Sequence, residues 1–139
     1  MNNTTHLLIT VPSGVFYEGD VNIVTLKTAS GYIGLQANRT PLFSNVEICN
    51  LSIKPENGEE IRCYIGGGLV YADEKKVSII TDDIINVKNI DVQRALRDRD
   101  KLIKQIEEAS HNDSVNKTKL ESKLKKALFK IDAYNLFNK

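Results

Sequence analysis

Ile48-Cys49-Asn50-Leu51-Ser52-Ile53-Lys54-Pro55-Glu56-Asn57-Gly58-Glu59-Glu60-Ile61-Arg62-Cys63-Tyr64-Ile65 decides how the first half of this chain is read. Apolar residues alternate through Ile48 (with Cys49), Leu51 and Ile53. They alternate back through Ile61, Cys63 and Ile65. Period two is the mark of a strand with one face buried. Pro55-Glu56-Asn57-Gly58 between the two runs is turn chemistry, with Asn-Gly at its tip. The stretch therefore predicts an antiparallel hairpin.

The same pattern extends in both directions. Upstream, His6–Val11 reads as a strand ended by the Pro12-Ser13-Gly14 turn. Val15-Phe16-Tyr17 leads to a second predicted turn at Gly19-Asp20, and residues 21–28 alternate again. Tyr32–Gln36 is a short strand. Asn38–Leu42 is a loop, because Pro41 lacks a donor and biases Thr40 away from helix. Downstream, Gly66-Gly67-Gly68 permits a bulge, a corner or the close approach of another backbone. Leu69–Ala72 and Val77–Thr81 flank Asp73–Lys76 as a further hairpin. Short strands at this spacing predict an antiparallel sandwich or barrel over residues 1–88.

After that the period changes. Ala95, Leu96, Leu102, Ile103, Ile106 and Ala109 fall at helical spacing, with Asn89 as the expected N-cap and Asp91 in the first turn. Ser110–Ser114 interrupts the pattern. A second helix from about Asn116 carries Leu120, Leu124, Ala127, Leu128, Ile131 and Tyr134. Two such helices with a short loop between them predict an antiparallel hairpin over residues 89–139. Charge divides at the same place: residues 1–88 carry 7 Lys/Arg against 10 Asp/Glu, and residues 89–139 carry 12 against 8.

Several function classes are excluded or disfavoured. A formal net charge of +1 exerts no overall pull on nucleic acid or acidic lipid. No run reaches the ~18 apolar residues of a membrane span. The first residues lack the parts of a signal peptide, which predicts a cytosolic or peripheral protein. Cys49 and Cys63 lack zinc spacing and read as two buried free thiols rather than a cross-hairpin disulfide. His6 and His111 are the only histidines, and Asp82-Asp83 points to opposite faces in an extended segment, so no acid/base or nucleophile constellation forms. Lys117, Lys119, Lys123, Lys125, Lys126 and Lys130 make the second helix basic. They read either as a solvated face or as a dock for an acidic surface. Nucleic acid is disfavoured as partner because aromatics are not interleaved with these lysines.

The ordered set Pro12-x-Gly14-x-x-Tyr17-x-Gly19, Thr28-x-x-Gly31-x-Ile33-Gly34-Leu35, Thr40-Pro41-Leu42, Gly66-Gly67-Gly68-Leu69-Val70, Val77-x-Ile79-x-x-Asp82 and Ile90-Asp91-x-x-Arg94-Ala95 resembles the epsilon subunit of bacterial F-type ATP synthase. The resemblance spans nearly the whole chain. It implies a β-sandwich of about ten strands followed by a helical hairpin. It also implies a noncatalytic place in the rotor's central stalk, at the cytoplasmic face of the bacterial membrane without insertion into it. The implied partners are the gamma subunit, the c-subunit ring and the alpha/beta catalytic head. In the family, the segment matching Ala29 to Arg39 lies toward the c ring. That carries interface roles to Ser30, Gly31, Tyr32 and Arg39, although the family commonly has an acidic residue at position 32 and His at 39. Ile90, Asp91, Arg94 and Ala95 match a motif that in some members helps bind ATP as a regulatory ligand, together with an Arg-Ala-x-x-Arg stretch. This chain has Lys126-Ala127-x-x-Lys130 there, which keeps the charge but loses the bidentate fork. Lys123, Lys126 and Lys130 are the residues expected to meet the catalytic head. A nucleic-acid-binding small β-barrel with a basic helical arm is the rival reading.

Overall fold

The computed structural model describes residues 3–109 and 114–137. The chain divides into two compact units, Met1–Asn86 and Val87–Lys139. The first unit holds seven strands: β1 (Thr5–Val11), β2 (Gly14–Thr28), β3 (Gly31–Leu35), β4 (Leu42–Pro55), β5 (Ile61–Ala72), β6 (Lys76–Ile80) and β7 (Ile84–Asn86). The pairing closes on itself. β1 runs antiparallel to β2 and parallel to β6, and the circuit continues through β5 and β4 back to β2. β3 flanks β2, and β7 flanks β5. β1 and β6 are far apart in sequence, so no tight turn dictates their direction, and this one contact is parallel.

Three strands are long, with 15, 14 and 12 residues in β2, β4 and β5. Each changes neighbours along its length. β2 pairs with β1 up to Val21 and then with β3 and β4. Counted by neighbour rather than by continuous chain, the strands match the expected sandwich of about ten. The turn expected at Gly19-Asp20 does not form. Gly19 pairs with Leu7 and Asp20 with His6 inside an unbroken strand. Ladder pairing overrides the local turn preference there.

The alternating residues do form the core. Leu7, Ile9, Val24, Leu26, Leu51, Ile53, Ile65, Val70 and Ile79 are fully buried. Cys49 and Cys63 are free and buried among them. Cys49 lies opposite Ile65 and Cys63 opposite Leu51, so the two thiols are diagonal rather than facing. Burial pushes the Cys63 thiol up to about 12, which keeps it protonated and inert at neutral pH.

Gly66-Gly67-Gly68 lies inside β5, where bare backbone lets another segment approach. A side chain on Gly66 would meet the Asp83 carboxylate, and one on Gly68 would meet the main-chain oxygen of Ile80. Gly67 has φ +98°, a conformation that favours glycine. The approaching segment is pinned there. Gly66 N donates to Asp83 O at 2.7 Å, Thr81 Oγ1 donates to Gly67 O at 2.6 Å, and the Tyr64 hydroxyl donates to Asp83 Oδ2 at 3.0 Å.

The second unit begins with a single 3-10 turn, Val87–Asn89, followed by α1 (Val92–Glu108) and α2 (Ser114–Phe137). The two helices pack as a hairpin, and the 3-10 turn packs on α2. The N-cap is Asp91, not Asn89, which the 3-10 turn absorbs. Asp91 Oδ1 accepts from Arg94 N at 3.1 Å. Of the expected breaker Ser110–Ser114, residues 110–113 lie outside the described residues, and Ser114 already begins α2, two residues before the expected start at Asn116. In α1, Val92, Ala95, Leu96, Arg99, Leu102 and Ile106 are at least half-buried, as is the C-cap Ala109, whereas Ile103, expected in the stripe, is 40% exposed. In α2 the inward positions 120, 124, 127, 131 and 134 follow spacings of four and three. Leu128, expected among them, is 42% exposed, and Ala133 is buried instead.

Candidate functional site

Three clusters carry the residues singled out from sequence. The first is the β2–β3 hairpin. Thr28 pairs with Gly31, leaving Ala29-Ser30 as a two-residue tip. Thr28 Oγ1 accepts from Ser30 N at 3.2 Å and donates to Gly31 O at 3.3 Å, so a buried threonine fixes the turn. Gly31 takes φ +113°, which a side chain would strain. Tyr32 projects outward at 55% exposure, and Lys27 directly opposite holds its ammonium 6.0 Å from the ring centroid. Arg39 is not at this tip. It lies beyond the far end of β3, past roughly 13 Å of extended chain. Asn38 there takes φ +64° and its N–H bonds to Glu74 O at 2.8 Å. The structure thus brings Ser30, Gly31 and Tyr32 together and separates Arg39 from them.

The second cluster is the start of α1. Ile90 is buried before the cap, Asp91 caps, and Ala95 is buried four residues into the helix. Those are the positions of a hydrophobic staple around an N-cap. Ala95 N also donates to Asp91 O at 3.0 Å. Three of the four motif residues are therefore consumed in starting the helix. The Arg94 guanidinium is exposed and points its charge to solvent.

The third is the basic helix. Lys119 and Lys123 are exposed, and Lys126 and Lys130 are half-buried. The lysines do not form one uniformly solvated edge.

One cluster escaped the sequence reading. On the outer face of the β-unit, Phe43 (70% exposed) stands opposite Tyr71, and Leu69 stands opposite Ile80 (59% exposed). The available signal was the run Leu69-Val70-Tyr71-Ala72, apolar at both parities. Such a strand has apolar side chains on both faces. A groove of about 560 Å³ adjoins this face, lined by Thr10, Pro12, Gly67, Gly68, Leu69 and Ile80 among others. Contiguous exposed apolar surface of this kind marks a binding face. No helix among the described residues is long and apolar enough to cross a membrane.

Known proteins resemble this chain across both of its units. The family described as ATP synthase, Delta/Epsilon chain, beta-sandwich domain matches residues 4–87. The ATP synthase epsilon chain of Mycoplasmopsis synoviae is 39% identical over 134 residues, covering 96% of each chain. That of Mycoplasmopsis pulmonis is 40% identical over 123 residues, covering 88% of this chain and 86% of the relative. Among solved structures, a chain of the Euglena gracilis mitochondrial ATP synthase OSCP/F1/c-ring assembly shares the fold. It gives a TM-score of 0.79 at 19% identity, covering 98% of this chain and 83% of that one. With the family pattern over the β-unit and relatives matched across both units, the chain belongs to the ATP synthase delta/epsilon family, among its epsilon chains.

Proposed function

We propose that this chain is a noncatalytic rotor subunit that couples c-ring rotation to the catalytic head and restrains ATP hydrolysis through its helical hairpin. The observation that carries this reading is coverage: epsilon-chain relatives align over 96% of the chain, both units included. The β-unit docks and the hairpin regulates. Phe43, Leu69, Tyr71 and Ile80 are the surface for the gamma subunit, because an aqueous apolar face gains most by being covered. The Ala29-Ser30 tip with Gly31 and Tyr32 faces the polar loops of the c ring. Arg39, at the other end of β3, would touch the ring only through a broader contact. The complex sits peripherally at the cytoplasmic face of the membrane and is driven by proton flow.

The hairpin acts as a two-state element. In one state its apolar stripe is satisfied within the rotor. In the other, α2 is extended and its lysines meet acidic loops of the alpha/beta head. A ligand or voltage that favours one state by a few kcal/mol is enough to switch it. ATP is proposed as a weak regulatory ligand at Ile90, Asp91, Arg94, Ala95, Lys126 and Lys130. The capping duty of Asp91 and the loss of arginine forks both argue for low affinity. The nucleic-acid reading is not favoured: the exposed aromatics Tyr32, Phe43 and Tyr71 belong to the acidic unit, whereas the lysine-rich helix belongs to the other.

The test converts Lys123, Lys126 and Lys130 to Glu in the assembled enzyme and measures ATPase rate at low and high salt. Each exposed pair is worth only ~0–1 kcal/mol, so the triple change is needed. The rate should rise most at low salt, where the native contact is least screened. An unchanged rate at both salts contradicts the restraint.

A further inference from the structure

We propose that Asn57-Gly58 is a site of spontaneous deamidation, so that the tip of the β4–β5 hairpin converts with age to aspartyl and isoaspartyl forms. The pair is the sole Asn-Gly in the chain. The structure supplies what the reaction needs. β4–β5 pairing stops at Ile53 opposite Ile61, and the last main-chain tie before the tip is Glu56 N to Asp20 O at 3.2 Å. Residues 57–60 therefore run outside the ladder rather than forming a tight two-residue turn. Asn57 and Gly58 are both exposed. Gly58 N has no hydrogen-bond partner among the described residues, and Gly58 takes φ +137° with open space where a side chain would stand. Nothing shields that nitrogen from the Asn57 side chain.

The step is redox-neutral and needs only water. Gly58 N bonds to Asn57 Cγ and gives up its proton as the Cγ–Nδ2 bond breaks, and the amide nitrogen leaves as ammonia. The five-membered succinimide then adds water. Attack at Cγ reopens the bond to Gly58 N on the side-chain branch and leaves aspartate. Attack at the main-chain carbonyl carbon of residue 57 leaves isoaspartate, with the backbone rerouted through Cβ and Cγ.

Seven other asparagines are placed against this reaction. Asn22, Asn45 and Asn86 lie in strands and precede Ile23, Val46 and Val87, whose β-branched side chains crowd the attacking nitrogen. Asn50 lies in β4, and Asn116 and Asn135 lie in α2, where regular structure fixes the backbone. Asn89 precedes Ile90. The product adds negative charge to a tip that already carries Glu56, Glu59 and Glu60, while the core pairs Leu51–Cys63 and Cys49–Ile65 stay intact. The change thus marks the molecule's age at its surface and leaves the fold in place.

The experiment incubates the full-length protein at mildly alkaline pH, labels isoaspartate with an isoaspartyl methyltransferase, and maps the label by peptide mass spectrometry. Label should appear first in the peptide holding residue 57, with matching release of ammonia. It should vanish from that peptide in Asn57→Gln, and Gly58→Ala should slow it severalfold with the circular dichroism spectrum unchanged. The proposal is overturned if residue 57 stays amide while other asparagines in the same sample convert, or if Gly58→Ala leaves the rate as it was.

Discussion

The two units bury different things. In the β-unit the fully buried side chains are large: Leu7, Ile9, Leu26, Leu51, Ile53, Tyr64 and Ile65. In the helical unit no described side chain is fully buried; those that come nearest are three alanines, Ala95, Ala127 and Ala133, and the larger Val87, Ile90 and Ile131. Burying a large aliphatic side chain contributes ~1.5–3 kcal/mol, whereas alanine contributes a fraction of that. The β-unit also closes its ladder into a circuit, so breaking one pairing exposes others. Most of the stability of helices in proteins comes from tertiary packing of an apolar face rather than from propensity. On the proposed function, the contrast suits a rigid dock and an arm whose own packing is light enough to rearrange.

The largest expected effect lies in the rigid unit. Leu51→Ala removes a fully buried side chain opposite Cys63 and should cost about 2–5 kcal/mol by urea unfolding. Leu128→Ala, at a position 42% exposed, should cost under ~1 kcal/mol. Equal costs would break the comparison. Next is Gly68→Ala. Its new methyl faces the main-chain oxygen of Ile80, which cannot rotate away, so overpacking should cost about 1–3 kcal/mol. Retained stability there would mean that the β5–β6 approach is soft. Third, Asp91→Ala removes the α1 cap and should cost ~1 kcal/mol. Hydrogen exchange should locate that loss in residues 92–108 with β-unit protection unchanged.

The smallest effect is a pH dependence. Protonated His6 donates from Nε2 to Glu18 Oε2 (2.9 Å) and from Nδ1 to Asp20 Oδ1 (3.1 Å), tying β1 to β2. The hydrogen bond to Glu18 first, then that to Asp20, raises its pKa above 6.5. Lys76, opposite His6 on β6, is the other charge beside it. A raised folded value means the clamp is fully present below 6.5 and is lost as pH rises through the folded pKa. NMR titration should place His6 above 6.5, and Glu18→Gln should lower it. A His6 midpoint unmoved by Glu18→Gln would show that the geometry does not bind charge.

The parts legible from sequence were those with strong periodicity: the β4–β5 hairpin, the β5–β6 hairpin, the core alternation and both helices. The misread parts were decided by tertiary pairing. Gly19-Asp20 has turn chemistry but is held in strand by Leu7 and His6 across the ladder. Asn89 has the chemistry of a cap, yet Asp91 takes that place because the 3-10 turn uses the earlier residue. Of the candidate site, the Ala29-Ser30 tip and the Ile90–Ala95 motif were legible because each is local in sequence. The separation of Arg39 from the tip was not legible, since it depends on how β3 is laid against β2. The Phe43–Tyr71 and Leu69–Ile80 pairs are invisible without register, because exposure is a property of the face and not of the residue type.

On the proposed function the β-unit docks and the helical unit regulates. The direct test is the ATP synthase assembled with this chain ending at Asn86, assayed for ATP hydrolysis and for coupled proton pumping in the same preparation. The expected result is a complete enzyme that still pumps protons and hydrolyses ATP faster than with the full chain. Failure to assemble would show that the helices are needed for docking. A complete enzyme hydrolysing at the same rate would show that they impose no restraint.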